Sequence, residues 1–558
     1  MPTNLYGSAF SEYLSPLAAS DQLSFGVFMS HVRLDEVSCK IVHDHELFPP
    51  FSEVISNEVV GLFGRNGCGK TTLLSAIAGD SRPSSGTIVV QGKVGYLRQV
   101  RMEPGHSVAQ ALGVQDQLAI IDRLENGKGR DGDLDQADWT LPSRLERVLA
   151  RFGIDNLPLD RSVESLSGGE RCRAKLATLL LGEPDILLLD EPTNDLDAEG
   201  RETVAELLRS WDGAALVATH DRALLEQVDR IIELSSTRVL SVGGGWSTFE
   251  QQREAERARA LTALDRAKQE MKHAQKTRQA RVERQAQRAK QGRNAAQRRD
   301  DSKLQINAQK SRAESTIARN QNVGEEQVSN AKEALDAAKA EVELVVPIRI
   351  ELPRTGLQRG RILIDARSIG CMFAGRSLFG PIDLIVTGPE RIALGGRNGS
   401  GKTSLLRIIS GGQSAHSGSV ERDNTRIAIL DQHLALLEPD ENALQAMQRH
   451  NSQLDHHQAH AALAEFGFRG VSGQRQVSTF SGGEKVRLAL ACLFSGFEPP
   501  QLLILDEPTN HLDIHAIELL EQALKSYDGA IICVSHDKAF CSALGLTRTI
   551  NLDDAGGA

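Results

Sequence analysis

One nine-residue pattern occurs twice in this 558-residue chain, as GRNGCGKTT at residues 64–72 and as GRNGSGKTS at residues 396–404. Each copy lies between an apolar run and an amphipathic helical pattern, which is the context of a phosphate-binding loop. Its glycines let backbone N–H groups close around phosphate oxygens, and the start of the next helix favours negative charge. The repeat therefore predicts two α/β domains that bind phosphate.

The side chains of the two loops have separate predicted roles. Lys70 and Lys402 are expected to reach the terminal phosphates of a nucleotide, and Thr71 and Thr403 to ligate Mg²⁺. The predicted nucleotide-binding residues of the two loops are Gly64, Arg65, Asn66, Gly67, Cys68, Gly69, Lys70, Thr71 and Thr72, then Gly396, Arg397, Asn398, Gly399, Ser400, Gly401, Lys402, Thr403 and Ser404.

A second pair of matching segments follows the loops, LSGGE at residues 166–170 and FSGGE at residues 480–484. Their S-x-x-E spacing is that of a capping box, but two glycines are poor choices for a first helical turn. Their presence in both copies indicates that a ligand approaches the backbone closely, and we expect a second phosphate contact there. The residues concerned are Ser167, Gly168, Gly169, Glu170, Ser481, Gly482, Gly483 and Glu484.

Each copy also has a carboxylate pair at the end of an apolar strand, Asp190 with Glu191 and Asp506 with Glu507. Such a pair in a phosphate-binding domain suits metal positioning and the activation of water. The candidate metal ligands are Thr71, Gln99, Asp190, Thr403, Gln432 and Asp506.

Two histidines occupy matching places after later apolar strands. His220 and His536 each lie 30 positions beyond the aspartate of their own copy. We expect both rings to act near the γ-phosphate. The candidate catalytic residues are Glu191, Glu507, His220 and His536.

Residues 251–346, between the two copies, contain no Pro, Phe, Tyr or Trp and are rich in Gln, Ala, Arg, Lys and Glu. Two heptad-like series predict an antiparallel helical hairpin with its turn near residues 292–302. Ser302 and Gln305 have capping-box spacing for the second helix. Arms of about 40 residues would project roughly 60 Å.

Charge is concentrated in the far part of this linker. Between Lys272 and Arg299 there are ten basic residues and one acid, in a chain whose formal net charge is −10. These basic residues form a basic stripe, which predicts a phosphate-rich partner. Because the linker has no aromatic side chains to stack on bases, we expect it to contact the backbone and the shape of a nucleic acid. The candidate residues for this phosphate contact, which the family resemblance given below assigns to RNA, are Arg281, Arg284, Arg288, Arg293, Arg298 and Arg299.

Composition narrows the class of protein. The apolar runs are too short to span a bilayer, and seven cysteines without CxxC spacing indicate a reducing compartment rather than disulfides or a zinc site. With no secretory signal in view, the cytoplasm is expected. The predicted division is an extension of uncertain status at 1–28, nucleotide-binding domains at 29–250 and 347–558, and the linker at 251–346.

In this order the segments resemble the Walker A, Q-loop, signature, Walker B, D-loop and H-switch of ATP-binding cassette ATPases. Two cassettes in one chain, DEPTN[DH]LD sequences, no membrane domain and a charged helical linker resemble the ABC-F family. The resemblance implies a monomer with head-to-tail cassettes, two sandwiched ATP molecules with Mg²⁺, and closure on ATP binding. It also implies a ribosomal partner, with the linker reaching toward P-site tRNA and the peptidyl-transferase centre.

Some positions depart from the family pattern. Phe373 stands where the adenine-stacking aromatic of the second cassette belongs, whereas the first cassette has Val42 or His43 there. The first D-loop reads N-D-L-D at 194–197, and the second N-H-L-D at 510–513. About 19 extra residues in the first cassette, around NGKGRDGDLDQAD, predict an exposed loop. The difference between the two D-loops, and not the insert, argues against assuming equal turnover at the two sites.

Three functions fit these features. The first is a ribosome-associated ATPase that serves translation or protects ribosomes from antibiotics. The second is the ATPase subunit of a drug exporter, which would leave the basic linker without a role. The third is a DNA-maintenance ATPase, because a basic helix does not by itself distinguish DNA from RNA.

Overall fold

The computed structural model describes residues 30–41, 45–98, 105–194, 196–296, 325–339, 350–373, 376–423 and 426–555. Several predictions concern residues outside these ranges: the 1–28 extension, residues 297–302 of the predicted linker turn, and Val42, His43, Gln99, Asp195, Arg298 and Arg299. The prediction of a turn is wrong at residues 292–296, which continue the linker helix. For Arg288, Arg293 and Phe373 only the backbone is described.

The first cassette contains eleven strands and eight α-helices within its described residues. The strands are β1 (His31–Ser38), β2 (Lys40–Ile41), β3 (His45–Glu46), β4 (Phe51–Ser56), β5 (Val59–Phe63), β6 (Ser85–Gln91), β7 (Val94–Leu97), β8 (Ile186–Asp190), β9 (Ala214–Ala218), β10 (Arg230–Leu234) and β11 (Val239–Gly243). The helices are α1 (Lys70–Ile77), α2 (Val108–Ala111), α3 (Gln115–Glu125), α4 (Asp133–Gln136), α5 (Leu141–Arg151), α6 (Gly168–Leu181), α7 (Ala198–Arg209) and α8 (Arg222–Leu225).

The linker contributes helix α9 (Trp246–Ala296) and a helical segment at residues 325–339, α10. The described strands of the second cassette are β12 (Ile362–Phe373), β13 (Arg376–Thr387), β14 (Arg391–Gly395), β15 (Ser417–Arg422), β16 (Ile427–Asp431), β17 (Leu502–Asp506), β18 (Ala530–Val534) and β19 (Arg548–Asn551). Its helices are α11 (Lys402–Ser410), α12 (Ala443–His450), α13 (His456–Glu465), α14 (Gly482–Phe494), α15 (Ile514–Lys525) and α16 (Lys538–Leu544).

Each cassette combines a parallel sheet with a smaller antiparallel one. The parallel sheets have the orders β11-β10-β5-β9-β8-β7, with β11 antiparallel at its edge, and β16-β17-β18-β14-β19. The antiparallel sheets are β4-β1-β6 and β13-β12-β15. This is the α/β class predicted from the two loops, and it brings the carboxyl ends of β5, β8 and β9 to one edge of the sheet.

The apolar strand β8 explains how one sheet serves two cores. All five of its residues are buried, as expected of a central parallel strand covered on both faces. Leu187 and Leu189 join the cluster around helices α5, α6 and α7, whereas Ile186 and Leu188 join the cluster around α1 and the antiparallel sheet. The alternation follows from the two-residue period of a strand.

Helix α9 has 51 residues, so it is about 75 Å long. It begins five residues before the predicted linker because Trp246 and Phe249 pack into the core of the first cassette. Farther along, the Arg281 guanidinium donates to Gln327 Oε1 of α10 at 3.2 Å. The two described linker segments therefore lie side by side.

The insert of the first cassette is more ordered than an exposed loop. Helix α4 lies within it, and the Arg123 guanidinium donates two hydrogen bonds to the buried Asp133 carboxylate at 2.9 and 3.0 Å. The loop prediction is wrong at this helix because the bidentate pair compensates for poor local helix propensity.

Within the described residues, no helix combines the length and apolarity needed to cross a membrane.

Candidate active sites

Both phosphate-binding loops have backbone conformations that depend on glycine. Gly69 has φ 104°, and a β-carbon there would lie 2.9 Å from Phe48 Cε1. Gly401 has φ 92° and the same crowding from Phe379, at 2.7 Å. These glycines lead directly into α1 and α11, so the helix N-termini open onto the loops.

The loop lysines fold back over their own loops. Lys70 Nζ donates to Gly64 O at 2.9 Å, and Lys402 Nζ donates to Gly396 O at 2.6 Å. Burial lowers the pKa of Lys402, and the nearby Glu507 carboxylate opposes that shift. The ammonium groups are thus held at the loops that were predicted to bind phosphate.

Asp190 and Asp506 lie next to the hydroxyl-bearing residues at the start of the loop helices. The Asp190 carboxylate hydrogen-bonds with Thr71, and Asp506 with Thr403. Burial raises the pKa of both carboxyl groups. Hydroxyl and carboxylate oxygens side by side suit Mg²⁺, which prefers oxygen ligands and is usually bound together with substrate phosphates.

The next residue in each cassette, Glu191 or Glu507, has an uncommon backbone conformation. Both have φ 47°, in the left-handed region that costs a non-glycine residue about 1 to 3 kcal/mol. Their backbone N–H groups donate to Ala218 O at 2.8 Å and to Val534 O at 2.9 Å, respectively. The turn therefore stays attached to the neighbouring strand.

Burial changes the protonation of these glutamates. It raises the pKa of Glu191 to about 7, against the opposing effect of Lys70. It also raises the pKa of Glu507. A carboxyl group with a pKa near the working pH can accept a proton from water, which is the property required of a general base.

The predicted histidines contact these glutamates in both cassettes. The His220 backbone N–H donates to Glu191 Oε2 at 3.3 Å, and the ring Nε2 lies 3.3 Å from Oε1. The His536 ring lies at the same distance from Glu507 Oε1. Burial, with help from the loop lysines, lowers the pKa of His220 well below its usual value and that of His536 to about 4. Both rings are therefore neutral at pH 7.

Each phosphate-binding loop faces the other cassette. Asn66 N donates to Asp513 Oδ2 at 3.1 Å, and Asn66 Nδ2 donates to His511 O at 3.0 Å. A β-carbon at Gly482 would lie 3.9 Å from Asn66 Nδ2, and one at Gly168 would lie 3.6 Å from Asn398 Nδ2. The first loop thus faces the second signature and the second loop the first, which is the head-to-tail arrangement that the resemblance implies.

Two cavities lie at these junctions. The first, of about 410 Å³, is lined by Lys70, Thr71, Asp190, Glu191 and His220, together with residues 509–512 of the second cassette. The second, of about 730 Å³, is lined by Lys402, Thr403, Gln432, Asp506, Glu507 and His536, together with Leu196 of the first cassette. Each cavity thus brings together the predicted lysine, threonine, aspartate, glutamate and histidine of one cassette. The signature residues Ser167 and Ser481 are not among the lining residues of either cavity.

Some residues at these sites were not singled out from the sequence. Arg201 lines the first cavity, and its guanidinium donates to Asp221 Oδ2 at 2.8 Å. Asp513 was noted only as part of a D-loop, although it reaches the opposite loop. The sequence around each residue does not predict its contact, because the partner lies elsewhere in the chain.

Comparisons with known proteins identify a family and several relatives. The family model of the ABC transporter matches residues 52–194 and 379–510. The chain is 30% identical over 504 residues to the probable ATP-binding protein YheS of Escherichia coli K12, which covers 86% of this chain and 72% of that protein. It is 28% identical to ABC transporter F family member 5 of Arabidopsis thaliana, over 95% of this chain and 75% of that protein.

A third relative is the energy-dependent translational throttle protein EttA of Mycobacterium tuberculosis. It is 29% identical, and the match covers 86% of this chain and 84% of that protein. Among solved structures, an RNase-L inhibitor has a TM-score of 0.51 at 18% identity and covers 91% of this chain and 86% of its own. The last likeness concerns the fold alone.

Proposed function

This chain belongs to the ABC-F family of ATP-hydrolysing cassette proteins, and on that premise we propose that it acts on ribosomes in the cytoplasm. ATP binding closes the two cassettes of a monomer, and closure moves the basic linker toward P-site tRNA and the peptidyl-transferase centre. The outcome is regulation of translation or protection of the ribosome from antibiotics. Hydrolysis reopens the cassettes and releases the protein.

The observation that carries this proposal is the linker helix. Helix α9 extends about 75 Å and presents Arg278, Arg281 and Arg284 along its far part, with Arg278 and Arg284 exposed. Only Glu325 and Gln327 of α10 contact these arginines within the described residues, and the Arg278 to Glu325 distance is 3.8 Å. A row of arginines along one exposed helix suits a phosphate backbone.

A translational partner is supported by a relative. EttA of Mycobacterium tuberculosis is named as a translational throttle, and it matches most of both chains. A DNA partner would use the same cationic groups, and an exporter would need a membrane partner. No observation in the described residues favours either alternative.

We assign the chemistry to groups that the two cassettes supply together. Lys70 and Lys402 bind the terminal phosphates, and the helix N-termini at Ser167 and Ser481 approach those phosphates from the opposite cassette. Glu191 or Glu507 accepts a proton from the water that attacks the γ-phosphorus, whereas His220 or His536 remains neutral and positions that glutamate. The reaction converts ATP and water into ADP and phosphate.

Mg²⁺ would be held in the first cassette by Thr71 and Asp190, with Gln99 as the remaining candidate there. In the second cassette it would be held by Thr403, Asp506 and Gln432. The ion would neutralise charge on the β- and γ-phosphate oxygens.

The test uses a Glu191→Gln/Glu507→Gln variant, which keeps the shape of the glutamates and removes the proton acceptors. We expect ATP to trap this variant on ribosomes, so that rRNA and tRNA dominate the nucleic acid sequenced after purification from a lysate. A Lys70→Ala/Lys402→Ala variant, which cannot hold the terminal phosphates, is the control and should not be trapped. Recovery of DNA, of a membrane complex, or of no ribosomes in ATP would contradict the proposal.

A further inference from the structure

An arginine outside the predicted site binds the glutamate of the signature motif in each cassette. Arg161 Nη1 donates to Glu170 Oε1 at 3.2 Å, and Arg475 Nη1 donates to Glu484 Oε1 at 2.9 Å. Both arginines precede their glutamate by nine positions, in RSVESLSGGE and RQVSTFSGGE. The same contact thus occurs twice, although the surrounding sequences differ.

Each arginine also fixes the chain that enters the signature helix. Arg161 Nη2 donates to Ser165 O at 2.7 Å, and Arg475 Nη2 donates to Thr479 O at 3.1 Å. These carbonyls lie two residues before Ser167 and Ser481. The guanidinium therefore bridges the segment before the serine and the glutamate after it, a geometry that lysine, with its single charged nitrogen, does not reproduce.

The bound glutamate in turn holds the serine. Glu170 Oε2 accepts the Ser167 N–H at 2.7 Å, and Glu484 Oε2 accepts the Ser481 N–H at 2.9 Å. The hydrogen bond from Ser167 and the charge of Arg161 lower the pKa of Glu170. Burial opposes a similar shift at Glu484, but the Ser481 N–H and Arg475 lower its pKa overall. Both glutamates are therefore ionised at pH 7.

An ionised glutamate at this position is electrostatically unfavourable for a site that binds phosphate. It lies in the first turn of a helix whose N-terminus faces the phosphate-binding loop of the other cassette. An unpaired carboxylate would repel the terminal phosphate. In the second cassette, Glu484 Oε2 also accepts the Ser481 hydroxyl at 3.1 Å. The paired guanidinium offsets the negative charge and holds the carboxylate against the signature serine.

We propose that Arg161 and Arg475 are positioning residues that let the signature serines bind the terminal phosphate in the opposite cassette. Arg475 serves the site of the first phosphate-binding loop, because Gly482 faces Asn66, and Arg161 serves the second. The inference rests on the proposed nucleotide-binding role of the signatures, and it is independent of the ribosome.

The experiment measures the ATPase activity of the purified full chain without ribosomes. Arg475→Gln should raise the KM for ATP about 10-fold and change kcat less than about 2-fold, because binding in the ground state is what it weakens. Affinity for ADP, which lacks the γ-phosphate, should stay unchanged. Arg475→Lys should give an intermediate KM, and Arg161→Gln should repeat the pattern through the other site. Arg469→Gln, at an exposed neighbouring position, is the matched control.

A double variant separates the possible roles of the arginine. Glutamine at position 484 still accepts the Ser481 N–H but carries no charge, so Arg475→Gln/Glu484→Gln should recover a KM within about 3-fold of the wild type. A double variant no better than Arg475→Gln would overturn the inference, because the arginine would then act on the nucleotide directly. An unchanged KM, or a parallel loss of ADP affinity and thermal stability, would also overturn it. Absence of ribosome trapping would contradict only the proposed function.

Discussion

Arg253 of the linker helix and Glu518 of the second cassette form a buried ion pair, with Arg253 Nη1 3.0 Å from Glu518 Oε1. Their side chains are 7% and 9% exposed. Arg257, one turn farther along α9, donates to the other carboxylate oxygen at 2.9 Å. The linker is therefore fixed to α15, the helix that Asp513 caps, and the Asp513 carboxylate binds the first phosphate-binding loop.

The first prediction concerns this ion pair. Glu518→Gln leaves two guanidinium groups without their buried counter-charge, so the free energy of unfolding should fall by about 3 to 5 kcal/mol. Urea unfolding followed by tryptophan fluorescence measures the loss. Glu270→Gln, which breaks an exposed pair with Arg266 on the same helix, should cost less than about 0.5 kcal/mol. Equal effects of the two variants would mean that the buried pair does not anchor the linker.

The second prediction follows from the raised pKa of Glu191, which burial brings to about 7. A general base must be ionised, so kcat/KM for ATP should rise with pH and level off above about 7. Glu191→Gln should lower turnover at the first site by orders of magnitude and remove that titration. The buried histidines should add no step in this range, because the pKa of His536 is about 4 and that of His220 is well below its usual value.

The raised pKa also has a consequence for stability. Because the pKa of Glu191 is higher in the folded protein than in the unfolded chain, the folded protein binds this proton more tightly. Glu191 therefore favours the nucleotide-free fold at low pH, and this contribution should disappear as the pH rises from about 4.5 to 7. Urea titrations of the wild type and of Glu191→Gln would measure it. A flat difference between the two across this range would contradict the assigned pKa.

The third prediction concerns the contact between the cassettes at Asp513. Asp513 Oδ1 accepts the Ala516 N–H at 2.8 Å to cap α15, while Oδ2 accepts the Asn66 N–H. Asp513→Ala should lower kcat/KM about 10-fold, because a hydrogen bond to a charged group contributes about 1.5 to 3 kcal/mol. Asp455→Ala, which removes only the cap of α13, should cost about 1 kcal/mol of stability and leave kcat/KM unchanged.

The fourth prediction concerns the basic linker. Replacing Arg278, Arg281 and Arg284 with Glu should weaken ribosome binding and reduce the log–log dependence on salt by about one unit for each phosphate group that the variant no longer binds. The same change at Arg266, outside the basic stripe, should leave the salt dependence as it is. ATPase activity without ribosomes, measured in parallel, reports whether the variants fold. If the salt dependence of ribosome binding were unchanged in the triple variant, the linker would act only as a spacer between the cassettes.

The sequence alone determined the elements of each site that are local in the chain. A phosphate-binding loop joins one strand to one helix, so its glycines, its lysine and its threonine occur within nine consecutive residues. Lys70 and Gly64, which hydrogen-bond in the structure, are six positions apart. The helical character and the charge of the linker could also be predicted, because periodicity and charge are properties of a continuous segment. The family resemblance, too, depends only on such segments and their order.

Only the tertiary structure decided which distant groups meet. Asn66 and Asp513 are separated by 447 positions, and Arg253 and Glu518 by 265. With 64 basic and 74 acidic residues in the chain, no spacing rule selects the pairs that become buried. The raised pKa of Glu191 is decided in the same way, because burial depends on how strands, helices and the opposite cassette enclose the carboxylate.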